Sequence, residues 1–243
     1  MSDLRRLRIG LLVCGHVHPD ALDLGGDYPE LFGALFAPLG AEIVPFDLLA
    51  GEGPSGRAEL DAIDLWMTSP ARASVTDDDA WIRDAEALVR RLVAQGRPFA
   101  GICFGHQLLA TALGGRVERA AAGWGVGAHT YDVVAPQPWM DGGEPFTLIA
   151  SHEDQVVELP PGATLLATSS HCPVAMFAVG DRAIGLQPHP EFTAALSRRL
   201  TGMRRDLIGE QRSDVALASL TTPLDRERVA GWLVRFAAER TRQ

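Results

Sequence analysis

Between residues 7 and 113 short apolar runs alternate with segments of helical period, and this alternation limits the chain to few folds. Residues 7–14 are mostly apolar without strand-like alternation, the pattern of a strand covered on both faces. Residues 28–39 carry helical apolar spacing at Leu31, Phe32, Leu35 and Phe36, and stop at Pro38-Leu39-Gly40. Residues 41–46 and 64–67 read as the second and third strands. The clearest helix is predicted over 77–95, with three Asp at its start, Arg90 and Arg91 near its end and Gly96 just beyond. That charge order suits the helix dipole, so a capped, solvated helix explains it better than a metal-binding acidic cluster. Residues 99–103 form another apolar run, and 104–113 a helix closed by Gly114-Gly115. A β-α-β-α-β-α order predicts a doubly wound, mostly parallel α/β sheet with right-handed crossovers. Reactive groups in such sheets lie beyond the carboxyl ends of the strands.

The second half changes character. Residues 131–134, 146–150, 155–158, 163–169, 174–179 and 183–187 are short β-rich runs, separated by turn signals such as Asp141-Gly142-Gly143 and Pro160-Pro161-Gly162. They predict hairpins joining or flanking the main sheet. A helix is expected over 193–211, and Thr222-Pro223-Leu224-Asp225 offers an N-cap for a last helix to about Arg240. With no repeat and no linker composition, the 243 residues read as one domain spanning 1–243, with a core over about 7–192 and C-terminal helices over 193–243.

Composition removes several classes. Hydrophobic residues at 47% and charged residues at 22% exclude wholesale disorder. A net charge of −9 without a basic run argues against nucleic acid or an anionic membrane as the main partner. All 22 basic residues are Arg, and the chain has neither Lys nor Asn, which excludes Schiff-base lysines, a phosphate-loop lysine and N-glycosylation. Three Cys make no disulfide framework. Arg5, Arg6 and Arg8 before an apolar run resemble the start of a secretory signal, but the run is short and ends in Cys14-Gly15-His16 with no small-x-small cleavage site. A buried first strand is the better reading. No run approaches about 18 apolar residues, so no membrane span is expected, and a reducing, cytoplasmic setting is.

The sharpest chemical signal is Gly101-Ile102-Cys103-Phe104-Gly105-His106-Gln107, where an apolar strand gives way to a helix. A nucleophile on such a turn is forced into an unusual backbone conformation, and flanking Gly removes Cβ clashes. The thiolate would sit at a helix N-terminus, and the next amide, from Phe104, could stabilise an oxyanion. The bland alternative is a small buried Cys between glycines. The second signal is Gln187-Pro188-His189-Pro190-Glu191-Phe192, after a predicted strand. In extended backbone His189 and Glu191 point the same way, about 6–7 Å apart at Cβ, so the acid could orient the imidazole. By itself this would read as a loop His beside a surface Glu; the two signals together match a thiol acyl-transfer site.

Through these two motifs the chain resembles the class I, triad-type glutamine amidotransferases. The resemblance extends over about 7–192 and includes Ser151-His152-x-Asp154-x-Val156 and the loop Met67-Thr68-Ser69-Pro70. It is similar to the stand-alone, GMP-synthase-like or γ-glutamyl peptide hydrolase members, a subgroup that Gly26-Asp27-Tyr28-Pro29 with Phe32 also suggests. The resemblance implies a flavodoxin-like fold, Cys103 as nucleophile, His189 as base and acid, and Glu191 as orienting carboxylate. It implies oxyanion-hole amides from Ser69 and Phe104, and a glutamyl site at Gln107, Ser151 and His152. It implies no cofactor or metal, and a glutamine or γ-glutamyl small molecule as substrate. The chemistry implied is attack on the γ-amide, a γ-glutamyl thioester and its hydrolysis. One departure is Thr68-Ser69-Pro70 where the family has Gly-Ser-Pro. Thr resists positive φ, so either this loop uses ordinary dihedrals or the hole assembles only with a ligand or partner bound.

Weaker candidates have plainer explanations. Cys14-x-His16-x-His18 lacks a matching second pair of metal ligands and reads as a strand end and loop. Cys172 reads as a packing residue, His106 as a lining residue of the pocket, and Trp124-Gly125-x-Gly127 as a pocket wall or a turn. The pairs Arg198-Arg199 and Arg204-Arg205 read as a solvated helix face. Three functions stay open: a glutaminase passing ammonia to a separate synthetase subunit, a self-sufficient γ-glutamyl peptide hydrolase, and a non-catalytic binding module with the same fold.

Overall fold

The first apolar run forms β1 (Leu7–Val13), the second strand from one edge of a nine-stranded sheet. The computed structural model describes residues 6–240, so Arg5 lies outside it. From β1 the chain runs through α1 (Tyr28–Phe36) to β2 (Ala41–Asp47), and through α2 (Arg57–Asp61) to β3 (Leu65–Thr68). It continues through α3 (Ala80–Ala94) to β4 (Phe99–Ile102), which passes directly into α4 (Phe104–Ala112). The four apolar residues expected to face inward on α1 are all buried, and Asp27 with Glu30 closes a capping box at its start. Helix α3 begins at Ala80 with Asp79 as N-cap, later than expected. Asp77 instead accepts the Ser74 amide at 2.8 Å and closes the preceding turn.

The β-rich half supplies β5 (Arg116–Arg119), β6 (Gly125–Val133), β7 (Phe146–His152), β8 (Asp154–Glu158), β9 (Ala163–Thr168), β10 (Met176–Val179) and β11 (Ala183–Leu186). The main sheet has the order β2-β1-β3-β4-β11-β10-β9-β6-β7. Its first five strands run parallel, and the remaining four extend it antiparallel. Strands β5 and β8 form a separate antiparallel ribbon. The sequence reading missed β5, whose four residues bury only Val117, too short for any period to show. It also started β6 six residues late, because Gly125 and Gly127 carry no apolar signal.

The helix expected over 193–211 is three pieces: α5 (Ala194–Met203), α6 (Arg205–Ile208) and α7 (Glu210–Ser219). Arg204 at φ −106° ends α5, and Gly209 at φ 90° separates α6 from α7. The last helix, α8 (Arg226–Arg240), starts after Asp225, and Thr222 is not its cap. The Asp225 amide donates to Thr147 O at 2.8 Å and its carboxylate accepts the Thr147 amide at 2.7 Å. The helix start thereby occupies backbone groups on edge strand β7.

Two apolar clusters cover the two faces of the sheet. Phe36 of α1 and Trp232 of α8 lie in one, and Val89 of α3 and Leu108 of α4 in the other. This is the doubly wound arrangement the strand-helix alternation predicts. Among the described residues no helix is long and apolar enough to cross a membrane.

Candidate active site

The end of β4 sets the geometry of Cys103. Its amide donates to Leu186 O of β11 at 2.9 Å, continuing the parallel ladder by one residue, and the chain then turns at once into α4. The turn requires φ 51° and ψ −100° at Cys103, the one non-glycine positive φ among the described residues. A side chain rarely holds such a conformation without support from its surroundings. The support is tight packing on both sides. A Cβ on Gly101 would lie 2.1 Å from Gly105 O, and one on Gly105 would lie 1.5 Å from Thr68 Oγ1. Only glycines let β4, α4 and the end of β3 approach this closely. Cys103 therefore stands at the N-terminus of a nine-residue helix, where the dipole favours an anion, and the Phe104 amide beside it has no partner within the helix.

His189 reaches the same place from the loop after β11. Its amide donates to Ile149 O of β7 at 2.8 Å, and its ring stacks on Phe192 with centroids 4.0 Å apart. Nδ1 donates to Glu191 Oε1 at 2.8 Å, which leaves Nε2 as the ring nitrogen without a hydrogen bond of ordinary length. Both side chains are almost fully buried. From α8, Arg226 Nε donates to Pro190 O at 2.9 Å and Nη2 to Glu191 O at 3.2 Å, fixing the backbone between the pair. Burial alone would lower the pKa of His189. The charge on the Cys103 thiolate, followed by that on Glu191, outweighs burial and raises it to about 10. A His189 ring kept protonated beside Cys103 and Glu191 is an acid placed to protonate a leaving group.

Cys103, Phe104, Gln107, Ser151 and His152 line one cavity of about 290 Å³ at the carboxyl ends of β3, β4 and β7. Gln107 Nε2 is committed to the protein, donating to Asp154 O at 2.9 Å and Gln187 Oε1 at 3.1 Å. His152 is buried and neutral: burial, then the nearby His171 and His189, lower its pKa to about 3. Tyr28 is buried near the same charges. Burial first, then Glu191 and Cys103, push its phenol well above the usual range.

Ser69 does not join this group. Its amide donates to Leu12 O at 2.9 Å, and its hydroxyl accepts the Cys14 amide at 2.8 Å and donates to Pro70 O at 2.9 Å. An amide spent on extending the β1–β3 ladder cannot also hold an oxyanion, so the Ser69 assignment fails in this arrangement. The loop reaches the cavity further on, at Ala71, Arg72 and Ala73, whose amides donate no hydrogen bond among the described residues. Thr68 ends β3 without positive φ, so ordinary dihedrals are the arrangement adopted.

His106 also departs from expectation. It is fully buried against Phe177, outside the cavity, neither ring nitrogen has a hydrogen-bond partner among the described residues, and burial lowers its pKa to about 3. Cys14 and Cys172 are buried thiols, and burial raises the pKa of both. His16 turns to Asp27 at 2.6 Å and Asp47 at 3.4 Å. Among the described residues no cluster of three or more His, Cys, Asp or Glu is arranged to hold a metal. Trp124 lines the cavity, but Gly125 opens β6, so that segment is a strand start and not a turn.

The cavity is also lined by three arginines that sequence reasoning did not place there. Arg119 pairs with Glu153 at 2.9 Å and Asp154 at 3.0 Å, and Arg72 and Arg204 line the cavity as well. Of the pair read as a solvated face, Arg205 does lie outward, bonded to Glu210 and Asp214. Arg204 points inward and donates to Ser151 Oγ at 3.2 Å. The break between α5 and α6, invisible in the pattern, separates them.

Comparison with known proteins agrees with this architecture. The family model described as glutamine amidotransferase class-I matches residues 41–200. Gamma-glutamyl peptidase 5 of Arabidopsis thaliana is 35% identical over 173 residues, covering 69% of this chain and 68% of that protein. A glutamine-hydrolyzing GMP synthase of Thermus thermophilus is 32% identical over 219 residues, which cover 86% of this chain but 41% of that protein. A crystal structure of a glutamine amidotransferase from Thermotoga maritima shares the fold with a TM-score of 0.74 at 22% identity, covering 97% of each chain.

Proposed function

The chain belongs to the class-I glutamine amidotransferases, hydrolytic enzymes of γ-glutamyl amides, and from that premise we propose that it is a γ-glutamyl hydrolase using Cys103, His189 and Glu191. The observation that carries the residue assignment is the conjunction of a strained thiol at a helix N-terminus with a buried His189–Glu191 pair bonded at 2.8 Å. The Cys103 thiolate attacks the γ-carbonyl carbon of the substrate. His189 gives its Nε2 proton to the departing nitrogen, the C–N bond breaks, and a γ-glutamyl thioester remains. The now neutral His189 takes a proton from water as the water attacks, which releases glutamate and restores the thiolate. Glu191 holds the ring orientation throughout. The Phe104 amide and an amide of the Ala71–Ala73 stretch stabilise the oxyanion, the second in place of Ser69.

The peptidase reading is preferred to the glutaminase-subunit reading. The match to Gamma-glutamyl peptidase 5 runs through 68% of that protein, whereas the GMP synthase match covers 41% of a longer one. The second reading, in which ammonia from glutamine passes to a separate synthetase subunit, is favoured by that GMP synthase similarity. In either case residues 1–243 act as one domain. Three free thiols suit a reducing compartment such as the cytoplasm.

The test is release of amine from γ-glutamyl dipeptides and of ammonia from glutamine by the purified chain alone. Turnover of dipeptides above glutamine, lost by a factor of at least about 10³ in Cys103→Ala, is the expected result. Turnover that needs a second protein would favour the glutaminase-subunit reading. Equal turnover by wild type and Cys103→Ala would refute both.

A further inference from the structure

Two of the three arginines that line the cavity make no ion pair among the described residues. Glu153 and Asp154 are satisfied by Arg119, and Asp77 accepts a backbone amide. Among the described residues Arg72 makes no ion pair or hydrogen bond, and Arg204 makes one side-chain bond, to the neutral Ser151 hydroxyl. Both line the cavity that contains Cys103, and each is close enough to act on the other: burial, opposed by Tyr28 and added to by the charge of Arg72, depresses the pKa of Arg204. Two guanidiniums that line one cavity without a carboxylate partner repel each other, and a bound carboxylate would relieve that repulsion through charge-assisted hydrogen bonds.

Free glutamine brings one carboxylate and one ammonium, so it needs one such cation. A γ-glutamyl amino acid or peptide brings a second carboxylate, at the C-terminus of its leaving part. The two arginines differ in depth. Arg204 is partly buried at the junction of α5 and α6, beside Ser151. Arg72 is exposed on the rim loop after β3. The acyl part of a substrate stays with Cys103, and the leaving amine must depart toward solvent.

We propose that Arg204 binds the α-carboxylate of the γ-glutamyl group and Arg72 the carboxylate of the leaving amino acid or peptide, which makes this a site for γ-glutamyl substrates with a free C-terminal carboxylate. This rests on the reading that Cys103 attacks a γ-glutamyl amide. Arg72 is thus a specificity-determining residue, and its partner is chosen by charge and not by side-chain shape. Because it is exposed, its contribution is modest and weakens as salt rises.

The experiment compares kcat/KM for γ-glutamylalanine and γ-glutamylalaninamide, which differ only in the second carboxylate. Wild type is expected to prefer the acid about fivefold to tenfold at low salt, in the range of one screened charge-assisted hydrogen bond. Arg72→Met should bring that ratio close to one, while Arg204→Met should lower kcat/KM for both compounds and leave the ratio standing. A wild-type ratio near one, an undiminished ratio in Arg72→Met, or a ratio lost only in Arg204→Met would overturn the proposal. Calorimetric Kd values for the same two compounds with Cys103→Ala, with and without Arg72→Met, read the site without turnover. An Arg72-dependent preference there with no hydrolysis by wild type would refute the hydrolase reading and keep the anion site. No preference there alongside hydrolysis would do the reverse.

Discussion

His189 behaves as the hinge between electrostatics and chemistry at the scale of single residues. Its raised pKa depends on the charges of Cys103 and Glu191, so it should fall when the Cys103 sulfur is removed. In NMR titration of the free protein, His189 should stay protonated to about pH 10, and in Cys103→Ser its midpoint should move down. An unchanged midpoint in Cys103→Ser would mean that the thiolate does not act on the ring. The residues of this pair were legible from Gln187-Pro188-His189-Pro190-Glu191-Phe192, because alternate residues of an extended segment share a side and lie within reach of one another. Arg72 and Arg204 were not legible. Nothing local separates a cation facing a cavity from one facing water, and Arg204 differs from its solvated neighbour Arg205 only by where a helix happens to break.

Between secondary-structure elements, the contact that most constrains the site is the meeting of β3, β4 and α4 around Gly105. A methyl group there would collide with Thr68 Oγ1 and with the Thr68 Cβ, at 1.5 and 2.7 Å. Gly105→Ala should therefore destabilise the protein by about 1–3 kcal/mol or more and disturb the Cys103 turn. Adding Thr68→Gly removes the opposing atoms, so the double variant should recover part of the loss in Tm, a non-additive result. Additive losses would show that the elbow yields elsewhere. The sequence reading took Thr68 as a departure bearing on the oxyanion loop alone. In the structure its side chain is also a wall of the elbow, and the loop bends later, at Ala71 to Ala73. The backbone pairing of Ser69 with Leu12 decides this, and it joins residues 57 positions apart in the chain.

The whole molecule holds two kinds of buried histidine with opposite consequences for stability. His106 and His152 have pKa values lowered by burial to about 3. Below about pH 6.5 the unfolded chain protonates them and the folded chain does not, so stability falls toward pH 3, by up to about 1.4 kcal/mol per pH unit for each. His189 is raised, so its contribution is complete below about pH 6.5 and is lost as pH rises through about 10. Thermal melts should show Tm falling from pH 7 to pH 5, with a smaller fall in His106→Phe if that variant folds and in His152→Gln in any case. A flat Tm over that interval would contradict the burial of both rings. The sequence by itself determined the strand-helix alternation, the strained cysteine at the β4–α4 junction and the His189–Glu191 pair, since each follows from neighbours within a few residues. Only the tertiary structure decided that Ser69 is spent on β1, that the antiparallel strands extend the sheet beyond β11, and that two arginines without a carboxylate face the cavity. Those outcomes depend on hydrogen-bond partners and charges brought together from distant parts of the chain, which no local period or spacing encodes.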